Sequence, residues 1–224
     1  MVQLAAAATM ERELRLTVHL EDFANVPRAT LVEAERQAAW LLRDAGVVIE
    51  WRERRATLAS DLLSSASTPW GPTELLIRVL PGELRDHRLR TGHVGFAMVR
   101  GASADNEAFP TMAYVCFPCA INLAKSTARE EERNEFSAAL FGIVLAHELG
   151  HLLGIEGHAL RGLMQSTWGR QTLTMALQRQ LRFLPEEKHK IQYNLQRRML
   201  LAAHPNLGTD AALVDHKASQ QQPR

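Results

Sequence analysis

Apolar and polar positions alternate through LRLTVHL, residues 14–20. That two-residue period belongs to a half-buried strand. Pro27 then opens a helical pattern over about Arg28–Ala45, with Leu31, Ala34, Ala38, Leu41, Leu42 and Ala45 as its apolar stripe and Gly46 as its stop. VVIEW (47–51) is a second strand. Strand, helix and strand at this length read as a βαβ unit, hence two parallel strands. Residues 52–73, containing SDLLSSASTPWGP, read as a surface loop. Three further strands follow at LLIRVL (75–80), GHVGFAMV (92–99) and MAYVCF (112–117), separated by the charged stretch 82–93 and the loop 101–110. The charged AREEERNE (128–135) forms the solvated first turns of a helix running from about Glu131 to Leu153. Leu140 and Val144 lie on one face of that helix, and Phe141, Leu145, Leu149 and Leu152 on another. A helix apolar on two sides is a central, buried one. LTMALQRQLRFL (173–184) reads as helical, and PEEKHKIQYNLQRRMLLA (185–202) opens with proline and two acids, as helix N-termini do. These elements predict an α+β fold in a single domain over 1–203, its mixed twisted sheet packed on a long N-terminal helix and a central helix, with a disordered polar tail at 204–224.

Composition narrows the function classes. The chain has 224 residues, 46% hydrophobic and 23% charged, with a formal net charge of +1. Nothing in that balance, and no basic stripe with interleaved aromatics, calls for nucleic acid or an anionic membrane as partner. The most apolar run, FSAALFGIVLA (136–146), has about half the length a bilayer span requires. The N-terminal MVQLAAAATMERELR lacks the basic and apolar regions of a signal peptide. As written the chain reads as cytoplasmic, and as exported if the true start lies upstream. Cys116 and Cys119 form one Cys-x-x-Cys pair, which cannot complete a four-cysteine zinc site. A redox pair sits where a strand turns into a helix. Here the flanks read as strand, so two buried thiols or a local disulfide are the simpler readings.

The chemistry concentrates in VLAHELGHLLGIEGHALRGLMQSTW (144–168), which holds three of the nine histidines. His147 and His151 stand four apart, on one helix face with their rings a turn apart. Burying two imidazoles and a carboxylate in an apolar helix is costly unless they are satisfied. A zinc ion gives both imidazoles a shared partner. Glu148 lies to one side of that face, within reach of a water at the metal; His-Glu-x-x-His thus sets two ligands and a general base on one helix. Gly154 can end the helix in a left-handed conformation. The chain then reverses, and His158 is the natural third ligand. Gly162-Leu163-Met164 follows as a tight turn.

With these residues the stretch resembles the metzincin zinc metallopeptidases, whose motif is His-Glu-x-x-His-x-x-Gly-x-x-His followed by a methionine turn. His147, Glu148, His151 and Gly154 match in place, and Met164 matches the turn. The family spacing puts the third histidine at 157, where this chain has Gly157, and His158 comes one residue late. The stretch is similar to small bacterial metzincin-like proteins with a longer loop before the third histidine. Glu156 is the nearest rival ligand. Glu186 or Glu187 in that role would make the site resemble the gluzincins instead.

The resemblance implies a zincin-like fold, a bound Zn²⁺, a peptide or protein substrate, and hydrolysis with Glu148 as general base and Met164 as the apolar floor beneath the ligands. It also implies an edge strand above the cleft that pairs with extended substrate. MAYVCF is the candidate, which would make Tyr114 and Val115 substrate-binding. Many metzincins place a tyrosine just after the methionine. Here Gln165-Ser166-Thr167-Trp168 follow, and Trp168 reads as a wall of the site. Tyr114 and Tyr193 are the two tyrosines, and neither has a spacing argument. A non-catalytic zinc protein on the same fold is the competing function, and a redox protein using the cysteine pair is a third.

Overall fold

The computed structural model describes residues 13–55, 71–82, 94–98 and 111–203. Most of the polar loop expected at 52–73, the charged stretch from residue 83, the loop at 101–110 and the tail at 204–224 lie outside the described residues.

A five-stranded sheet carries the fold. Its strands are β1 (Leu14–Asp22), β2 (Val47–Arg55), β3 (Glu74–Leu80), β4 (Gly95–Met98) and β5 (Met112–Cys116), in the order β2-β1-β3-β5-β4. The first four in that order run parallel, and β4 lies antiparallel on β5. Helix α1 (Arg28–Asp44) makes the β1–β2 crossover, as the βαβ pattern requires. Its buried residues are Leu31, Ala34, Ala38, Leu41 and Leu42 of the apolar stripe, with Glu35 beside them. β3 is buried from Leu75 to Leu80, as expected of a strand covered on both faces. Arg78 in its middle is fully buried and ion-paired to Glu21 of β1 at 3.0 Å.

Helix α2 (Phe117–Thr127) follows β5 directly. A short 3₁₀ turn (Glu130–Glu132) leads into α3 (Arg133–Leu152), the central helix. From Phe136 to Gly150 every residue of α3 is buried. α3 packs on α1, where Gly142 meets Ala34 and Gln37. Helices α4 (Arg170–Leu177) and α5 (Pro185–Ala203) complete the described chain. No helix among the described residues is long and apolar enough to cross a membrane.

Three expectations are corrected. MAYVCF is not an edge strand: β5 is hydrogen-bonded to β3 on one side and β4 on the other, so at this end of the described sheet the edge is β4. The main chains of Tyr114 and Val115 are therefore engaged within the sheet, and the Val115 side chain is fully buried. Neither is placed to pair with a peptide. Second, the strand reading around the cysteines holds only up to Cys116. Cys116 caps a helix whose first turn contains Pro118, and Ala120 and Ala124 face the core. Third, the helix expected at 173–184 stops at Leu177. Arg179 takes a φ of 55°, and the amide of Gln180 returns to the Met175 carbonyl at 2.7 Å. This left-handed turn closes the helix end. The chain then runs on without regular structure and buries Leu181 and Phe183.

Candidate metal centre

His147 and His151 project from the last two turns of α3. The helix ends as Gly154 takes a φ of +97°. Its amide returns to the His151 carbonyl at 3.0 Å, and the Ile155 amide to the Gly150 carbonyl at 3.0 Å. This paired closure is a Schellman turn. It reverses the chain and carries His158 back to the helix. The ligand nitrogens of His147, His151 and His158 then all lie within 4.8 Å of one another. The His158 ring is stacked on that of His147 at 5.2 Å and edge-on to that of His151 at 5.1 Å.

Both helical imidazoles are held by main-chain carbonyls. His147 Nδ1 donates to Leu163 O at 3.1 Å, and His151 Nδ1 to Ile155 O at 2.5 Å. The tautomer follows: with the proton on Nδ1, Nε2 presents a lone pair. The two Nε2 atoms face each other at 3.1 Å. Two lone pairs at that separation repel unless a cation lies between them. Two nitrogens about 2.0–2.1 Å from a tetrahedral zinc would stand roughly 3.3 Å apart. Burial lowers the His147 pKa to about 3, reinforced by the neighbouring His151 and opposed by the Leu163 carbonyl. Burial also lowers that of His151. Both rings are therefore neutral at physiological pH, the state a metal requires. Three convergent imidazoles are a zinc donor set, and these residues fit it.

Glu148 is 3% exposed, and among the described residues its Oε2 has no hydrogen-bond partner. Burial pushes its carboxyl up to about 8. The group packs against the edge strand. A Cβ built on Gly95 of β4 would stand 2.6 Å from Glu148 Oε1, so a glycine there lets the strand pass directly over the carboxylate. Met164 is fully buried beneath α3, and a Cβ built on Gly150 would stand 2.7 Å from its sulfur. Leu163, which orients His147, is tied through its own amide to the Arg182 carbonyl at 2.8 Å. The segment after α4 thus anchors the methionine-bearing loop. Trp168 sets its ring edge-on to His147 at 5.0 Å, a wall of the site.

The same topology has been solved elsewhere. The chain is similar in fold to archaemetzincin from Methanopyrus kandleri, with a TM-score of 0.54 and 17% identity over 84% of this chain and 99% of that one. It is also similar to metalloproteinase-II from Bacteroides fragilis, with a TM-score of 0.50 and 14% identity, covering 82% of this chain and 54% of that one. The fold is archaemetzincin-like. No family model matches the sequence, and no curated protein does.

The rival ligands fall away from the cluster. Glu156 is exposed and Glu186 lies exposed at the start of α5. Glu187 accepts the Leu184 amide at 2.7 Å, capping α5. None belongs to the histidine group. Tyr193 is exposed on α5, while Tyr114 lies against Phe96 and Arg78. Sequence reasoning missed the carbonyls of Leu163 and Ile155, and Gly95. The glycine in GHVGF was the one available signal, since glycine inside a strand marks close approach.

Proposed function

We propose that this chain is a zinc-dependent peptidase, with His147, His151 and His158 as ligands, Glu148 as general base and Met164 as the apolar support under them. The observation that carries the reading is the facing pair of Nε2 lone pairs beside a buried carboxylate whose Oε2 has no hydrogen-bond partner among the described residues. Zinc held there supplies Lewis-acid chemistry: it polarises a carbonyl and makes water a nucleophile near neutral pH.

The protein residues do the rest. The carbonyls of Leu163 and Ile155 fix the imidazole tautomers and their angles. Burial alone keeps the Glu148 carboxyl protonated at neutral pH, and its working carboxylate form needs a nearby positive charge, which the three imidazoles are built to hold. Glu148 then takes a proton from the attacking water and returns it to the leaving amine. Among the described residues β4 lies at the end of the sheet with no strand beyond it, and an extended peptide laid along it would pass over Glu148 at Gly95. The substrate strand is thus β4 in place of β5.

The test is metal content with cleavage of a degenerate peptide library. Wild-type protein should carry about one zinc per chain and cleave. Glu148→Gln should keep the zinc and lose roughly 10²–10⁴-fold in rate. Zinc without cleavage would favour a binding protein on this fold. Absence of zinc would overturn the reading.

A further inference from the structure

We infer that Cys116 and Cys119 form a thiol–disulfide exchange centre, reduced by a dithiol, with Cys119 as the attacked sulfur and Cys116 as the leaving thiolate. The two are joined as a disulfide. They occupy the junction where β5 ends and α2 begins, with Cys116 as the helix N-cap and Pro118 in the first turn. This is the strand-to-helix placement in which Cys-x-x-Cys pairs are reactive.

The two sulfurs differ in surroundings. Cys116 is 6% exposed, whereas Cys119 is only partly buried, so an incoming thiolate reaches Cys119. The Cys119 amide donates to Cys116 Sγ at 3.2 Å. That bond is weak to a disulfide sulfur and strong to a thiolate, because charge on the acceptor shortens and strengthens hydrogen bonds. The start of an eleven-residue helix adds its own positive end. Both effects favour Cys116 as the leaving group, and a better leaving thiolate makes a disulfide more labile. A bridge across three residues also closes too short a loop to add much chain-entropy stabilisation, so stability is a poor reason for its presence.

The exchange balances. One thiolate of the dithiol bonds to Cys119 Sγ, the cystine S–S bond breaks, and its electron pair leaves on Cys116. The second thiolate of the dithiol then attacks its own bonded sulfur. Cys119 leaves as a thiolate, and the dithiol becomes a disulfide. Two electrons pass to the protein, and each new thiolate takes a proton according to pH.

The site also touches the proposed cleft. The Cys116 amide donates to Val94 O at 2.8 Å, and Val115 pairs with Gly95. Phe117 packs edge-on against Phe141 of α3 at 5.2 Å. Opening the bridge therefore loosens the corner that holds Gly95 over Glu148.

Sulfur chemistry tests this independently of any hydrolysis. The oxidised full-length chain, kept folded with chelator present, is treated with reduced glutathione as a single-thiol probe. It is then quenched in acid, alkylated and mapped by mass spectrometry. Glutathione should appear on Cys119 with a free thiol at Cys116, and dithiothreitol should reduce the pair fully and reversibly. In Cys119→Ser, ultraviolet thiolate absorbance should titrate at lower pH in the folded chain than in urea. Amide exchange at residues 94–98 should quicken on reduction. A bridge that resists dithiothreitol while folded, glutathione on Cys116, a Cys116 titration unchanged by folding, or exchange at 94–98 unaffected by reduction would each overturn the corresponding part, and the first overturns the whole.

Discussion

Gly154 carries two constraints at one residue. Its φ of +97° lies where a side chain is strained, and a Cβ there would overlap the amide nitrogen of Asn194. That amide donates to the Leu153 carbonyl at 3.1 Å, tying α5 to the end of the metal-bearing helix. Gly154→Ala should therefore cost the left-handed strain, about 1–2 kcal/mol, plus a displaced hydrogen bond worth about 1 kcal/mol. Adding Asn194→Ala removes the overlap but leaves the strain. In urea denaturation the double variant should fall short of the summed single losses; additive losses would mean the two groups do not meet. At this scale the sequence was informative where geometry is local. His147, Glu148, His151 and Gly154 were readable because the spacing of four and the glycine stop are properties of any helix. The carbonyls that orient the two imidazoles were not, since every residue has a carbonyl and only the folded loop selects Leu163 and Ile155.

Between elements, the decisive contact is α1 against α3. A Cβ built on Gly142 would stand 2.7 Å from Gln37 Cβ and 2.8 Å from the Ala34 carbonyl. Gly142→Ala gains about 1 kcal/mol of helix propensity. It also overpacks a contact with main chain, which cannot yield without moving α1 and costs about 1–3 kcal/mol. The clash should win, and a lowered denaturation midpoint checks it. The same helix carries Glu35, buried with Oε1 unpartnered among the described residues. Burial raises its carboxyl to about 7, against the pull of Arg28, from an ordinary 4.5. Between those values the folded chain holds a proton that the unfolded chain has released. Glu35's contribution to stability is therefore full below about 4.5 and is lost as pH rises through about 7. Wild type minus Glu35→Gln, compared in urea melts across that window, should show this loss; a flat difference would refute it. The βαβ start and the central helix were legible because period and length suffice for them. The order of strands was not: the resemblance called for an edge strand above the cleft and MAYVCF was its candidate, but pairing with both neighbours makes it interior. α2 escaped because CFPC ends a strand and caps a helix within four residues, although Pro118 with Ala120 and Ala124 behind it was a usable signal.

Over the whole molecule, the proposed metal joins parts that otherwise meet weakly. His147 and His151 sit on the buried helix, while His158 lies on an exposed loop. That loop is held by the Ala159 amide on the Met164 carbonyl at 2.8 Å, and through Leu163 by the segment after α4. An ion shared by three rings would fasten the loop, the helix and that segment to one point, and it binds only when all three are folded together. Free zinc a thousandfold above its dissociation constant should stabilise the native chain by about 4 kcal/mol. For a protein of this size that raises the thermal midpoint by roughly 8–16 °C. His158→Ala keeps the two helical ligands but loses the loop's grip, so at the same buffered zinc its midpoint should rise far less. Equal shifts in both proteins would show that the third ligand lies elsewhere, and no shift in either would remove the metal from the site. Scanning calorimetry with zinc buffered by a chelator distinguishes the three outcomes, because the apo forms of both proteins supply the baseline against which only the metal's contribution changes.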